Sequence, residues 1–195
     1  MLFAPGNLCQ DMNTGKRGFS SSQFAVYGTK GSTDTTDLFS WDNVRSYATK
    51  PFEGVWRILS ADEWNYLLFK RSNAEQLMGQ ATVGGICGLV ILPDGWESPD
   101  DIAWQGFPDD FSVNTYNEAE WVALEHSGAV FLPAAGRRTS AEPEHVNQQG
   151  WYWAEANSGT HTNKCVCFGE GHVVEVPLSP SVEISLRLVQ NAKQM

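Results

Sequence analysis

Charge is scarce in this chain, with Lys, Arg, Asp and Glu together supplying 18% of its 195 residues. Positive charge is scarcer still. Thirteen basic residues against twenty-three acidic ones leave a formal net charge of −10. A nucleic-acid-binding face needs clustered Lys and Arg to neutralise phosphates, and docking on anionic lipid needs the same. The sequence argues against both. No apolar run approaches the roughly 18 residues of a membrane-spanning helix, so no direct membrane insertion is expected. The first residues, Met1 to Asn7, carry neither the basic n-region nor the apolar stretch of a signal peptide. The expectation is a chain that is not exported, or one from which a leader has been removed. There is no G-x-S-x-G nucleophile elbow, no phosphate-cradling glycine motif and no twelve-residue calcium loop.

Tryptophan and glycine are plentiful, at eight and eighteen residues, and hydrophobic residues make up 42%. A chain of this length buries roughly 70% of the surface that it exposes when unfolded. One well-filled, loop-rich domain spanning 1–195 is therefore expected, with aromatics pinning irregular segments or forming a contact surface.

Two segments share one plan. In Leu59-Ser60-Ala61-Asp62-Glu63-Trp64, Ser60 can cap a helix, Glu63 completes the capping box and Leu59 can staple to Trp64. Trp64, Leu67 and Leu68 then share a face. In Tyr116-Asn117-Glu118-Ala119-Glu120-Trp121, Asn117 caps, Glu120 completes the box and Tyr116 staples to Trp121, with Gly128 as the stop. Each helix is followed by an apolar run ending in Leu-Pro, Gly88 to Pro93 and Gly128 to Pro133, which reads as a buried strand. Asp94 to Asp110, with six acidic residues, reads as a solvated loop. Lys164 to Phe168 and His172 to Val176 alternate about Gly169-Glu170-Gly171, as a hairpin with a three-residue turn, and Ile184 to Val189 alternates again. Two helices with several short, mostly antiparallel strands make the fold class α+β.

Four cysteines permit three full pairings. Cys165 and Cys167, two apart on a strand, point to one face and are poorly placed to bond to each other, whereas Cys9 and Cys87 can pair. Cys87, at the mouth of a buried strand, reads as a small hydrophobe. His161, Cys165, Cys167 and His172 form an H-x3-C-x-C-x4-H pattern of zinc- or copper-binding residue types, at a spacing that matches no zinc signature. In Trp151-Tyr152-Trp153 the two indoles share a strand face. They precede the polar stretch Glu155, Asn157, Ser158, Gly159, Thr160, His161, Thr162 and Asn163, and an aromatic edge beside adaptable polar residues is the composition of a recognition surface.

These motifs, in order, resemble the large C-type-lectin-like paralogous family of gut bacteria. The matching pieces are Leu2 to Leu8 (Leu-Phe-Ala-Pro-Gly-Asn-Leu), Asp37 to Trp41, Trp56 to Leu59 with Asp62-Glu63-Trp64, Gly88 to Trp96, Gly128 to Gly136, Tyr152-Trp153 and Ser185 to Val189. The resemblance covers almost the whole chain and implies a C-type lectin-like fold. The chain also looks like two groups that share this fold: the formylglycine-generating enzymes, and the variable proteins of diversity-generating retroelements, whose C-terminal stretch is rewritten by error at adenines. Departures from the family pattern favour the second group. Ala154 and Glu155 replace Ser-Ser, Cys165 and Cys167 stand where aromatics are usual, and Glu183-Ile184 replaces Gly-Phe. Adenine substitution of Asn codons reaches Cys, His, Ser, Thr and Gly, but Glu155, Lys164 and Trp151 need another origin.

The resemblance therefore implies a non-enzymatic receptor or adhesin-type binder with residues 150–184 as its variable, ligand-binding region. The expected face comprises Trp151, Trp153, Glu155, Asn157, Ser158, Thr160, His161, Asn163, Cys165, Cys167, Glu170, His172 and Glu183. Trp151 is its exposed anchor, while Trp41, Trp56, Trp64, Trp96, Trp121 and Trp153 belong to the scaffold and Trp104 stays unassigned. The implied partner is a protein or glycan on another cell, or a phage receptor. The implied location is the cell surface, the extracellular space or a phage virion. No cofactor or required metal is expected: Glu142-Pro143-Glu144 resembles one lectin calcium motif, but the companion Trp-Asn-Asp is missing. The alternatives are an oxidoreductase of formylglycine-enzyme type, whose copper-holding cysteines are spaced more widely than Cys165 and Cys167, and a structural fibre-tip domain.

Overall fold

The computed structural model describes residues 1–27, 34–45, 52, 54–99, 101–107, 110–156, 163–169 and 171–191. Both expected capping boxes form. Ser60 Oγ accepts from the Glu63 amide at 3.1 Å while the Glu63 carboxylate takes the Ser60 N–H at 2.9 Å, opening a helix at Ala61–Asn65. That helix widens into a π-turn over Tyr66–Lys70, so Leu67 and Leu68 still reach the core beside Leu59 and Trp64. Asn117 and Glu120 make the same reciprocal pair at the start of Glu118–His126, where Tyr116 and Trp121 are buried together. A one-turn helix at Trp41–Val44, not expected from the sequence, precedes both. We call these α1 (Trp41–Val44), α2 (Ala61–Asn65) and α3 (Glu118–His126).

The strands form small sheets. The chain's two ends meet in one of them, where β1 (Leu2–Phe3) runs antiparallel to β15 (Leu188–Gln190), which pairs in turn with β5 (Arg57–Ile58). A second joins β2 (Leu8–Asp11) to β3 (Arg17–Phe19) and β4 (Thr35–Thr36). A four-stranded sheet has β6 (Met78–Val83) beside β7 (Ile86–Ile91), with β8 (Thr115–Tyr116) and β9 (Val130–Pro133) at its edges. The sequence reading missed β6, because Gln80 interrupts its apolar run; Gln80 is buried and donates through Nε2 to the Gly169 carbonyl. Gly84 and Gly85, at φ +56° and +86°, form the β6–β7 turn, a left-handed pair open to glycine and closed to most residues. A ribbon pairs β10 (Arg137–Arg138) with β11 (Pro143–Glu144).

The last sheet carries the C-terminal quarter, in the order β12 (Gly150–Ala154), β13 (Lys164–Gly169) and β14 (His172–Pro177). Its register pairs Gly169 with His172, so the turn is one residue tighter than the expected three. Gly150 lets the Phe168 ring lie across its backbone, where any Cβ would collide. The terminal strand is also shorter than expected. Ile184 and Ser185 make only single bridges, to Phe39 and Tyr152, before β15 begins. The fold is α+β.

Arg187 ties these parts together. It is fully buried, and its guanidinium donates to Asn7 Oδ1 at 3.1 Å, Ala4 O at 3.0 Å and Phe131 O at 2.6 Å. Burial lowers its pKa to about 10, which leaves it charged at neutral pH. Arg187→Met leaves these acceptors, and the Gln23 carbonyl at 3.5 Å, without their donor, and a loss of at least about 3 kcal/mol is expected in urea unfolding.

Asp37 is the opposite case. It is fully buried; among the described residues its Oδ1 has no hydrogen-bond partner, and its Oδ2 receives the Tyr27 amide at 3.4 Å. Burial pushes its carboxyl up to about 6, against the opposing effects of the Tyr27 amide and Arg138. A carboxyl whose folded pKa exceeds its unfolded one favours the fold at low pH, and that contribution is lost as pH rises through the folded value. Asp37→Asn should therefore stabilise the protein by about 2–3 kcal/mol above pH 7 and by little near pH 4. Equal gains at both pH values, measured by urea titration, contradict the assignment.

Candidate ligand-binding face

Alternation divides the sheet of β12, β13 and β14 into two faces. Tyr152, Ala154, Val166, Phe168 and Val173 point into the core beneath α2. Trp151 and Trp153 point the other way, opposite Cys167 and Cys165, which in turn face Val174 and Val176. This second face is itself half covered. At one end Trp153, Cys165 and Val176 pack under Phe39, Trp41, Ile184 and Leu186, and the Trp153 indole donates to Phe39 O at 2.7 Å. At the other end Trp151 borders the same cluster only in part. Trp151 there is half-buried, Val174 exposed and His172 half-buried.

Three expected contact residues are thereby corrected. Trp153, Cys165 and Cys167 are buried, at 0%, 0% and 3% exposure, and support the face from below. Pairing of β13 on both edges, with Cys165 under the lid and Cys167 between Trp151 and Val174, keeps both thiols off the exposed surface. Burial pushes Cys165 up to about 12 and Cys167 to about 11, so both are neutral thiols at physiological pH. Cys167 Sγ lies 3.9 Å from His172 Nε2, which brings together two members of the H-x3-C-x-C-x4-H pattern. His161 lies outside the described residues, as do Asn157, Ser158, Thr160 and Glu170. Among the described residues no group of three or more His, Cys, Asp or Glu is placed to hold a metal. None of the four cysteines forms a disulfide, so Cys9 and Cys87 do not pair.

Trp151 is held rather than freely displayed. Arg137, from β10, stacks over its ring at 4.8 Å, a cation–π contact, and Gln149 Oε1 accepts its indole N–H at 3.2 Å. Glu144 pairs with Arg137 at 3.7 Å across the β10–β11 ribbon. Next to it Arg138 holds Glu183 at 2.7 Å, so the expected contact Glu183 is engaged in an ion pair at the rim. Glu155 is half-buried, bridged to Ser60, and its carboxyl is raised by burial, with Arg57 opposing. Asn163 is half-buried, with its carbonyl taken by the Leu178 amide at 3.0 Å.

Beside this patch opens a cavity of about 710 Å³, whose wall includes Thr82, Cys87, Asp110, Asn147, Gln149 and His172. Gln149 thus touches both Trp151 and the cavity. Asn147, at φ +61°, locks the wall in place: its Oδ1 accepts the Cys87 amide at 2.6 Å and its Nδ2 donates to Gly85 O at 3.2 Å. The sequence reading missed Arg137, Gln149 and this cavity. The available signal was Gly136-Arg137-Arg138, two adjacent charges directly after a buried apolar strand in a chain poor in basic residues. Comparison with family models, curated proteins and solved structures returns no significant match.

The geometry orders the thiols by reactivity. Cys87, on the cavity wall, should label fastest with a thiol reagent in mildly alkaline buffer. Cys9, half-buried with a pKa raised by burial and by Asp37, should follow. Cys165 and Cys167 should react only after unfolding in guanidinium. Peptide mapping by mass spectrometry reads the order, and rapid labelling of Cys165 or Cys167 in the native protein contradicts the burial of β13.

Proposed function

We propose that the chain is a non-enzymatic ligand-binding module of receptor or adhesin type, built on a C-type lectin-like scaffold and belonging with the variable proteins of diversity-generating retroelements. The observation that carries this reading is the uncovered end of the C-terminal sheet, where the Arg137–Trp151 stack adjoins a preformed cavity. Trp and Arg are the residue types that most often dominate binding energy at interfaces. A ring pinned from above and by its indole nitrogen loses little further entropy on binding. The pairing of β1 with β15, the two capped helices and the short antiparallel sheets are compatible with the scaffold implied by the sequence motifs. The partner is then a protein or glycan on another cell, or a phage receptor, and the module acts at a cell surface, outside the cell or on a virion.

Among the described residues of 150–184, the open end keeps Trp151, His172 and Glu183, joined by Val174 and by the flanking Arg137 and Gln149, while Glu155 and Asn163 lie beyond the roofed end. The oxidoreductase alternative has less support. It needs Cys165 and Cys167 to meet copper and a substrate thiol, yet both sulfurs are buried and protonated.

Two measurements test the reading. Labelled protein titrated onto a panel of bacterial cells should bind saturably to some of them, and Trp151→Ala or Arg137→Ala should cost at least about tenfold in affinity, with little change in Tm. Binding insensitive to both substitutions, or absent from every cell type, contradicts the assignment. In the genome, a near-copy of the stretch encoding 150–184 should lie beside a reverse transcriptase gene. Its adenine differences should fall on codons such as that of His172, and spare Tyr152, Trp153 and Phe168.

A further inference from the structure

A second cleft, away from the Trp151 face, has a chemistry of its own. Its volume is about 580 Å³, and its lining includes Tyr66, Asn73, Gln76, Asp94, Trp96 and Trp104. Trp104 comes from the acidic loop after β7, where the sequence reading assigned it no role.

The two indoles are oriented before any ligand arrives. Trp96 Nε1 donates to Ser127 Oγ at 2.8 Å, and that hydroxyl donates onward to Leu124 O at 2.6 Å. Trp104 Nε1 donates to Gln76 O at 2.8 Å. The rings meet edge to face, with centroids 6.2 Å apart and planes at 69°. Both ring nitrogens are committed to the protein, so each ring offers a ligand its apolar surface only. Tyr66, 51% exposed, adds a third aromatic at the rim.

The polar groups are fixed as well. Arg71, almost fully buried, donates to the carbonyls of Leu67, Leu92 and Leu77 and also to Asp94 Oδ1, at 3.3 Å. Its charge offsets that of Asp94, whose side chain remains 65% exposed. The carboxylate is therefore a positioned acceptor in a cleft of nearly balanced charge. Asn73 holds the left-handed conformation at φ +57°, and its side chain makes no capping bond to the short turn Ala74–Gln76 that follows.

We propose that this cleft binds a neutral saccharide. Flat aromatic faces match the C–H surface of a pyranose ring, and amide and carboxylate acceptors match its hydroxyls. An anionic ligand finds no exposed cation among the lining residues, and the Arg71–Asp94 pair removes the attraction for a cationic one. This site is independent of the Trp151 face and does not rest on the function proposed for it.

The test titrates the intact chain with five neutral hexasaccharides of glucose (β-1,4 and α-1,4), N-acetylglucosamine, xylose and mannose. The readouts are tryptophan fluorescence and calorimetry. Saturable binding of at least one probe is expected. Tyr66→Ala and Asn73→Gly should each weaken it by about tenfold. Both lie on exposed positions, and Asn73→Gly also relieves a left-handed backbone, so folding should be retained. Trp151→Ala should leave the binding unchanged. Failure of all five probes overturns the proposal, as does binding lost in Trp151→Ala and kept in both cleft variants.

Discussion

The first residues of the chain, β9 and β12 are organised around a buried cation that makes no direct ion pair with a carboxylate among the described residues. Arg187 is matched instead by Asn7, Ala4 and Phe131, which belong to the chain's beginning and to β9. Asn7 passes the connection on, its Nδ2 donating to the Tyr152 hydroxyl at 3.1 Å, and that hydroxyl donates to Pro133 O at 2.8 Å. Gln23 closes the far side, accepting from the Phe131 amide at 2.7 Å and donating to Glu125 of α3 at 2.7 Å. Desolvating a guanidinium is costly unless its donors are met, so the first eight residues, β9, β12 and the final strand have to be assembled together. Tyr152 is the neighbour of Trp151, and the network therefore also sets the position of the proposed binding face.

From that anchor the C-terminal sheet takes a two-sided role. Its core-facing residues lock onto α2, and its other face is roofed at one end and open at the other. The same alternation that places Trp151 at a rim places Tyr152 in the network. A stretch of chain can thus be both scaffold and contact surface, with roles assigned residue by residue. Any diversification of 150–184 has to respect that division, because β13 has a packed neighbour on each side of the sheet.

Much of this was legible in the sequence where the determinants are local. Ser60 with Glu63 and Asn117 with Glu120 close hydrogen bonds within one turn, and their helices begin where the spacing says. The hairpin of β13 and β14 was legible for the same reason, apart from one residue of its turn. The candidate face was less so. Alternation shows that Trp151, Trp153, Cys165 and Cys167 share a side, but not what lies over that side. The lid of Phe39, Trp41, Ile184 and Leu186 comes from segments more than a hundred residues earlier and from the tail of the chain. Arg137 and Gln149 meet Trp151 only through the β10–β11 ribbon and the turn that follows it. The strand β6 was hidden because a buried Gln80 satisfied by Gly169 looks, in sequence, like a surface residue.

One consequence concerns mechanics. Leu2 lies opposite Gln190 and Phe3 opposite Val189, so the two ends of the domain sit side by side on antiparallel strands. Tension applied between those ends loads the ladder bonds one after another, as in a zipper. Force applied through a single end, with the other end slack, is carried instead across the strand and into the Arg187 network. Were the Trp151 face to hold a target, force entering through one terminal strand would follow that second path, through the Arg187 hydrogen bonds.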